Sequence, residues 1–312
     1  MTGFLLRRLL GAIPTLFVIV TATFFLIRLA PGGPFDQEQR LPPEIQANLE
    51  AAYGLDQPML VQYGRYLSGL VRGDFGPSFK YRDFDVTELI AEGLPISVSL
   101  GLAAVLLAVA LGVPLGTFAA LRRDRWPDHA LRVLALLGIA IPGFVIAPLL
   151  ALVFGIYLQW LPVAGWEPGT LADAVLPVLA LALPLSAFVA RLMRASLIEV
   201  LSANFIRSAR ARGLPHWRIV VHHALRPALL PVVSYLGPAT AAVLTGSLVV
   251  ETIFGIPGMG RYLVQGALNR DYTLVMGMVI VFASLTLLLN LLVDLVYGWL
   301  DPRIRSQGNR GA

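Results

Sequence analysis

The sequence predicts an all-α integral membrane protein with six spanning helices and both termini on the cytoplasmic side. Three observations carry that reading. Hydrophobic residues fill 57% of the 312 positions, and mean hydropathy is +0.74; a soluble domain is usually about 45–50% apolar. Six apolar runs, near 9–30, 96–121, 131–159, 174–194, 229–253 and 273–299, are each long enough to cross a bilayer, which takes about 20 residues. The basic residues are also sorted. Sixteen of the 24 lie before the first run, in the second and fourth connections, or in the tail. The positive-inside rule places those segments in the cytoplasm.

That sorting also accounts for the net charge of +5, so the basic balance does not call for nucleic acid. The chain has no cysteine, which excludes disulfides, thiolate nucleophiles and cysteine-ligated metals.

Residues 1–30 form the first element, an N-terminal anchor span. Its apolar run after Arg7 and Arg8 is too long for a signal-peptide core, and Arg28 sits where a cleavage site wants small residues. Residues 31–94 form an extracytoplasmic lobe, with ten acids against five bases. "LPPEIQANLEAAYGL" reads as a helix that starts on prolines and stops at Gly54. "PMLVQYGRYLSGLV" reads as a second helix, with Leu60, Tyr63, Tyr66, Leu67 and Leu70 on one face. "FDVTELIAEGLP" is an amphipathic lead-in to the second span. The lobe is either a packed cap over helix ends or a docking surface, and the sequence leaves both open.

Residues 95–300 form a five-span core, in which Pro114, Pro142, Pro148 and Pro184 are expected to kink the spans. Residues 301–312 are a cytoplasmic tail. Within the core, the cytoplasmic loop 195–228 contains "NFIRSARARGLPHWRIVVHHALRP". Leu197, Leu201, Phe205 and Ala209 recur every four residues, so the fourth span is expected to continue as an amphipathic helix to Arg212. Gly213 suits a left-handed cap, and Pro215 prevents continuation. A second short helix is expected to carry Trp217, Val220, Val221 and Ala224 on one face. The result is an elbow. A topology signal lying on anionic lipid would not require a capped turn with apolar stripes on both arms, so the elbow reads as a docking knob.

The connection "ETIFGIPGMGRYLVQGALNRDY" reads as a re-entrant or capping loop, with a well-packed turn as the plainer alternative. No enzymatic constellation emerges. Lys80 is the only lysine and is followed by Tyr81, so no phosphate-binding P-loop is present. His129, His216, His222 and His223 lie in connections with no nucleophile–base pair, and adjacent His222 and His223 point about 100° apart on a helix. No catalytic or metal residue is assigned. Ser247 reads as a small packing residue. The rival reading is an ion-coupled secondary transporter using Asp294, with Asn290 one turn earlier. Against it, the chain shows no internal repeat, and Asp294 falls near the cytoplasmic interface.

Several of these segments carry a resemblance. "FIRSARARGLPHWRIVVHHALRPALLPVV" resembles the cytoplasmic EAA loop of ABC importer permeases, in the peptide-importer form. "LTGSLVVETIFGIPGMGRYLVQGALNRDY" and "NLLVDLVYGWLDPRIR" resemble the last two spans of dipeptide and oligopeptide permeases. "RRLLGAIPTLFVIVTATFFLIRLAPGGP" and "RGDFGPSFKYRDFDVTELIAEGLPISVSL" fit the first of the two paired permeases. One departure stands out: where the general motif has Glu-Ala-Ala before the glycine, this chain has Arg207, Ser208 and Ala209.

The resemblance implies the type I ABC importer permease fold, in the plasma (inner) membrane of a prokaryote. It also implies a second related permease, two ABC ATPase subunits that bind ATP and Mg, and an extracytoplasmic solute-binding protein, with no cofactor in this chain. The implied ATPase-coupling residues are Ala209, Arg210, Arg212, Gly213, Leu214, Trp217, Arg218 and Val221. Glu251, Phe254, Gly255, Pro257, Arg270 and Asp271 are the implied outer gate and receptor-docking set. Peptides are the expected cargo; the same family also serves nickel chelates and glutathione.

Overall fold

The computed structural model describes residues 2–29, 33, 42–81, 83–167 and 169–300, without the side chains of 2–9, 43, 45, 46, 245, 246, 294 and 296–300. Among these residues the chain is helical, apart from one isolated bridge between Pro77 and Asp85. The long apolar runs become α1 (Thr2–Leu29), α4 (Val86–Leu121), α7 (Leu171–Ser202), α10 (Leu225–Phe254) and α12 (Tyr272–Leu300). The amphipathic lead-in and the second span are one helix, α4. Between α1 and α4 lie α2 (Pro43–Ala52) and α3 (Met59–Val71). α2 starts after Pro42, and Gly54 beyond its end takes φ +64°. On α3, Leu60 departs from the expected face and is 74% exposed.

The third apolar run is not one helix. It breaks into α5 (Trp126–Ala140) and a second piece, α6 (Gly143–Leu150) followed by the π-helical segment Ala151–Tyr157. The two pieces are bent by 101°. The cause is local: proline disfavours helical backbone at the preceding residue, and Ile141 before Pro142 is extended, with ψ 119°.

The chain divides into two compact units. The first contains Val98–Ile256 and the chain from Leu285. Its core joins Ala104 and Ala108 of α4 to Val189, Met193 and Leu197 of α7 and to Ala228 and Val232 of α10. α4 approaches α7 across Gly112 and Gly116. A Cβ at Gly112 would lie 2.8 Å from the Ser186 carbonyl oxygen, and one at Gly116 2.4 Å from that of Ala190. This four-residue spacing of small residues lets helices touch backbone to backbone in lipid, where tight packing replaces the hydrophobic effect.

An ion pair ties α5 to α7 in the same unit. Arg194 donates through Nε and Nη2 to both carboxylate oxygens of Asp128, which is fully buried. The Asp124 N–H adds a third donor at 2.9 Å.

The second unit contains Leu9–Ser97 and Pro257–Ser284. Its core gathers Val86, Leu89 and Ile90 with Met259, Leu274, Met278 and Phe282. Phe24 and Phe25 of α1 pack with tilted rings against Tyr63, and Phe24 also against Tyr66.

Candidate functional site

The elbow is built inside the first unit. α7 stops at Ser202 because Ala203 is extended, with ψ 153°, and α8 (Asn204–Ala211) begins anew. The expected continuous stripe is therefore reset. On α8 the buried residues are Ile206 and Ala209, whereas Phe205, expected inside, is 48% exposed.

Gly213 takes φ +75°. Its N–H donates to the Arg210 carbonyl at 2.9 Å, and the Leu214 N–H donates to the Ala209 carbonyl at 3.4 Å. This is a Schellman cap, completed by Leu214 packing with Ala209 in one apolar cluster. Leu214 is thus half inside its own chain, and Ala209 is fully inside.

The second arm is α9 (His216–Arg218) running into the π-helical segment Ile219–Ala224. The wider π turn changes which residues share a face. Ile219, Val220 and Ala224 turn inward, while Trp217 is 59% and Val221 51% exposed. Val220 therefore leaves the face that the sequence assigned to it beside Trp217 and Val221. π-helical turns recur at functional sites because they re-aim side chains in this way. Arg218 stands over the Trp217 ring at 5.5 Å, and His222 meets the ring edge at 6.0 Å. Arg207, Arg210, Arg212 and Arg218 are exposed. Among the described residues none of them forms an ion pair. The elbow offers two apolar side chains inside a collar of exposed guanidinium groups, on a base fused to the core of α7 and α10.

The other predicted set falls in both units. In the first, Glu251 is fully buried and accepts from Ser247 Oγ at 2.8 Å. Phe254 is buried, and its carbonyl accepts from the Gly165 N–H at 2.9 Å. Gly255, at φ +66°, closes α10 with the Ile256 N–H donating to the Glu251 carbonyl at 2.8 Å.

In the second unit Pro257 leads into α11 (Met259–Leu268), so the expected loop is largely a ten-residue helix. Its first N–H, that of Met259, donates to Ser97 Oγ at 2.9 Å. Arg270 is exposed with φ +58°. Asp271 beside it is fully buried. Its Oδ1 accepts from the Leu274 N–H and Thr273 Oγ1, both at 3.1 Å, and caps α12. Its Oδ2 accepts from Ser78 Oγ and from the Phe79 and Lys80 N–H groups. Asp271 is therefore no surface charge; it organises the segment around Ser78. Tyr81 in that segment donates to Gln265 Oε1, and burial pushes its phenol pKa up.

Asp294, the residue of the ion-coupled reading, has a side chain outside the described residues. Sequence reasoning missed the Asp128–Arg194 pair; its signal was an acid, one of two with Asp124, among Arg122, Arg123, Arg125 and Arg132. It also missed Ile206 and Ile219, whose burial depends on the break at Ala203 and the π turn.

Comparison with known proteins agrees with this architecture. Residues 112–306 match the family described as binding-protein-dependent transport system inner membrane component, and residues 1–101 match its N-terminal counterpart. Oligopeptide transport system permease protein OppB of Haemophilus influenzae is 53% identical, covering 98% of this chain and 100% of that protein. Dipeptide transport system permease protein DppB of Bacillus subtilis is 44% identical, covering 98% of each. Among solved structures, a chain of the inward-facing MetNI methionine ABC transporter superposes with a TM-score of 0.55 at 17% identity, covering 68% of this chain and 96% of that one. The helical core has the type I ABC importer permease fold.

Proposed function

The chain belongs to the family of binding-protein-dependent transport system inner membrane components, and on that premise we propose that it is the permease subunit of an ATP-driven importer of short peptides in the bacterial inner membrane. It pairs with a second, related permease. Two ABC ATPase subunits, which bind the ATP and Mg, dock on its elbow, and an extracytoplasmic receptor delivers the peptide. This chain holds no ATPase site of its own and no cofactor. Its domains follow the membrane: anchor span 1–30, extracytoplasmic lobe 31–94, five-span core 95–300 with coupling loop 195–228, and tail 301–312.

The observation that carries the reading is the exposed pair Trp217 and Val221 beyond the Gly213 cap, ringed by Arg207, Arg210, Arg212 and Arg218. A helix that docks in a groove needs apolar anchors at helical spacing and a polar collar for register. Ala209 and Leu214 act from beneath, by holding the turn. Because Ile206, Ile219 and Ala224 share a core with α7 and α10, a push on the elbow moves both spans as a body. ATPase closure is thereby converted into exchange between inward- and outward-facing states. At the outer end, Glu251, Phe254 and Gly255 form a packed plug at the end of α10. Arg270 is the exposed charge available to the receptor, held in place by Pro257 and α11 on one side and Asp271 on the other.

The test is co-purification in gentle detergent with partner identification by mass spectrometry. The wild-type chain should bring down one related permease and P-loop ATPases. Trp217→Asp should lose the ATPases and peptide uptake while membrane insertion stays intact. Normal uptake by that variant would refute the coupling role.

A further inference from the structure

The second unit holds a cavity of about 300 Å³ that none of this machinery uses. Arg28, Tyr53, Gln62, Arg65, Tyr66 and Asp74 are among its lining residues. Its chemistry is unbalanced. Arg28 stacks on the Phe24 ring, 3.7 Å from the centroid, and its Nε donates to Gln62 Oε1 at 3.1 Å. Gln62 is in turn braced, because its amide donates to the Leu55 and Gln57 carbonyls. The outer edge of the guanidinium finds only the Met276 sulfur, at 3.6 Å. Among the described residues no carboxylate pairs with Arg28.

Next to it the Tyr66 hydroxyl is buried and, among the described residues, has no hydrogen-bond partner. Burial pushes this phenol's pKa up, and Arg28 opposes that shift only in part, so the group stays protonated and remains a donor. Asp74 is on the exposed rim, already accepting from the Gly76 N–H at 2.8 Å. A half-buried cation with no carboxylate partner and a buried donor with no acceptor, among the described residues, are each costly. Both residues line the same cavity, and one planar anion drawn against that wall would satisfy both.

We propose that this cavity binds the carboxylate end of a small peptide-sized solute, with Arg28 and Tyr66 donating to the carboxylate and Arg65 adding positive charge at the mouth. The oxygen pair of a carboxylate matches the fork of a guanidinium. The aromatic Tyr53 wall and the volume suit one or two residues of a short peptide, near the small end of ligand pockets. The site shares no residue with the elbow or with the α10 plug. Only its placement outside the membrane rests on the transport reading above.

The experiment is equilibrium dialysis of radiolabelled trialanine against the receptor-free, ATP-free transporter complex in nanodiscs. Saturable binding is expected, displaced by N-acetyl-trialanine and not by trialanine amide. Tyr66→Phe removes a hydroxyl that bonds to none of the described residues, so folding should be unharmed. It should weaken binding about tenfold or more, the usual worth of a hydrogen bond to a charged group. Arg28→Gln should abolish binding. Three outcomes overturn the proposal: no saturable binding, equal competition by the amide, or wild-type affinity in Tyr66→Phe. Displacement by phosphatidylglycerol that depends on Arg28 would assign the site to a lipid phosphate and also overturn it. Because the readout needs neither receptor nor ATP hydrolysis, it fails or succeeds independently of the transport reading.

Discussion

Two turns in the first unit close their helices in the same way and then diverge. At Gly213 and at Gly255 a glycine with positive φ ends a helix, and the following N–H reaches back five residues, to Ala209 and to Glu251. After Gly213 the chain exposes Trp217 and Val221. Around Gly255 it hides Phe254 and Ile256 completely or nearly so. The cap sets the direction of exit and nothing more. The residues flanking each cap decide whether the turn presents apolar side chains at the surface or packs them inside. The turn at Gly213 adds a π-helical segment that leaves Trp217 and Val221 exposed. The other turn is locked by the Gly165 N–H bonded to the Phe254 carbonyl.

The contrast can be tested at several strengths. Gly213→Pro should have the largest effect, since it removes the N–H that bonds to Arg210 and demands a negative φ where +75° is required. Peptide uptake should vanish, with at least about 3 kcal/mol lost from the elbow, read as protease cleavage in the loop. If uptake survives, the turn does not transmit force. Asp128→Ala comes next. It leaves Arg194 uncompensated in a largely buried site, and thermal unfolding should show a loss of about 3 kcal/mol. Arg194→Met with Asp128→Leu should recover most of that stability, while a permanent loss of uptake in the double variant would show that the pair also aligns the elbow.

Asp271→Asn should cost about 1–2 kcal/mol, because the amide caps α12 but serves the Ser78 cluster poorly. Receptor-stimulated ATP hydrolysis should then fall in step with stability. Arg270→Glu, by contrast, should lower the stimulation with no change in melting temperature, and the effect should shrink at high salt. A salt-independent result would remove Arg270 from the docking surface. The smallest effect is expected from alanine at the two glycines. Each should cost about 1 kcal/mol for the left-handed backbone alone, since a Cβ at Gly213 meets nothing within 4 Å and one at Gly255 only the Gly165 nitrogen at 4.0 Å. Unequal melting losses would mean that one turn carries strain its geometry does not reveal.

Much of the site was legible in local chemistry. Gly213 followed by Pro215 announces a capped turn whatever surrounds it, and the exposure of Trp217 and Val221 fits the anchoring role assigned to them. The break at Ala203 was not legible, because no proline or glycine marks it. Without that break Phe205 falls on the buried stripe and Ile206 does not. Asp271 reads as a loop charge next to Arg270. Only its five donors, three of them from the segment at Ser78, turn it into an internal cap. The bend at Pro142 was half legible: the proline predicts a kink, but its 101° size depends on what the two pieces pack against.

The sequence by itself determined the apolar spans, the clustering of the arginines in alternate connections and the capped elbow. These are local or additive properties: transfer of side chains into lipid, charge near helix ends, and backbone preference at glycine and proline. Tertiary structure alone decided which residues of each amphipathic stretch turn inward, that Arg194 meets Asp128, and that Arg28 and Tyr66 share a cavity. Those outcomes depend on partners far away in the chain, such as Asp128 and Arg194, which are 66 positions apart. No periodicity or composition encodes which distant side chain will fill a given space.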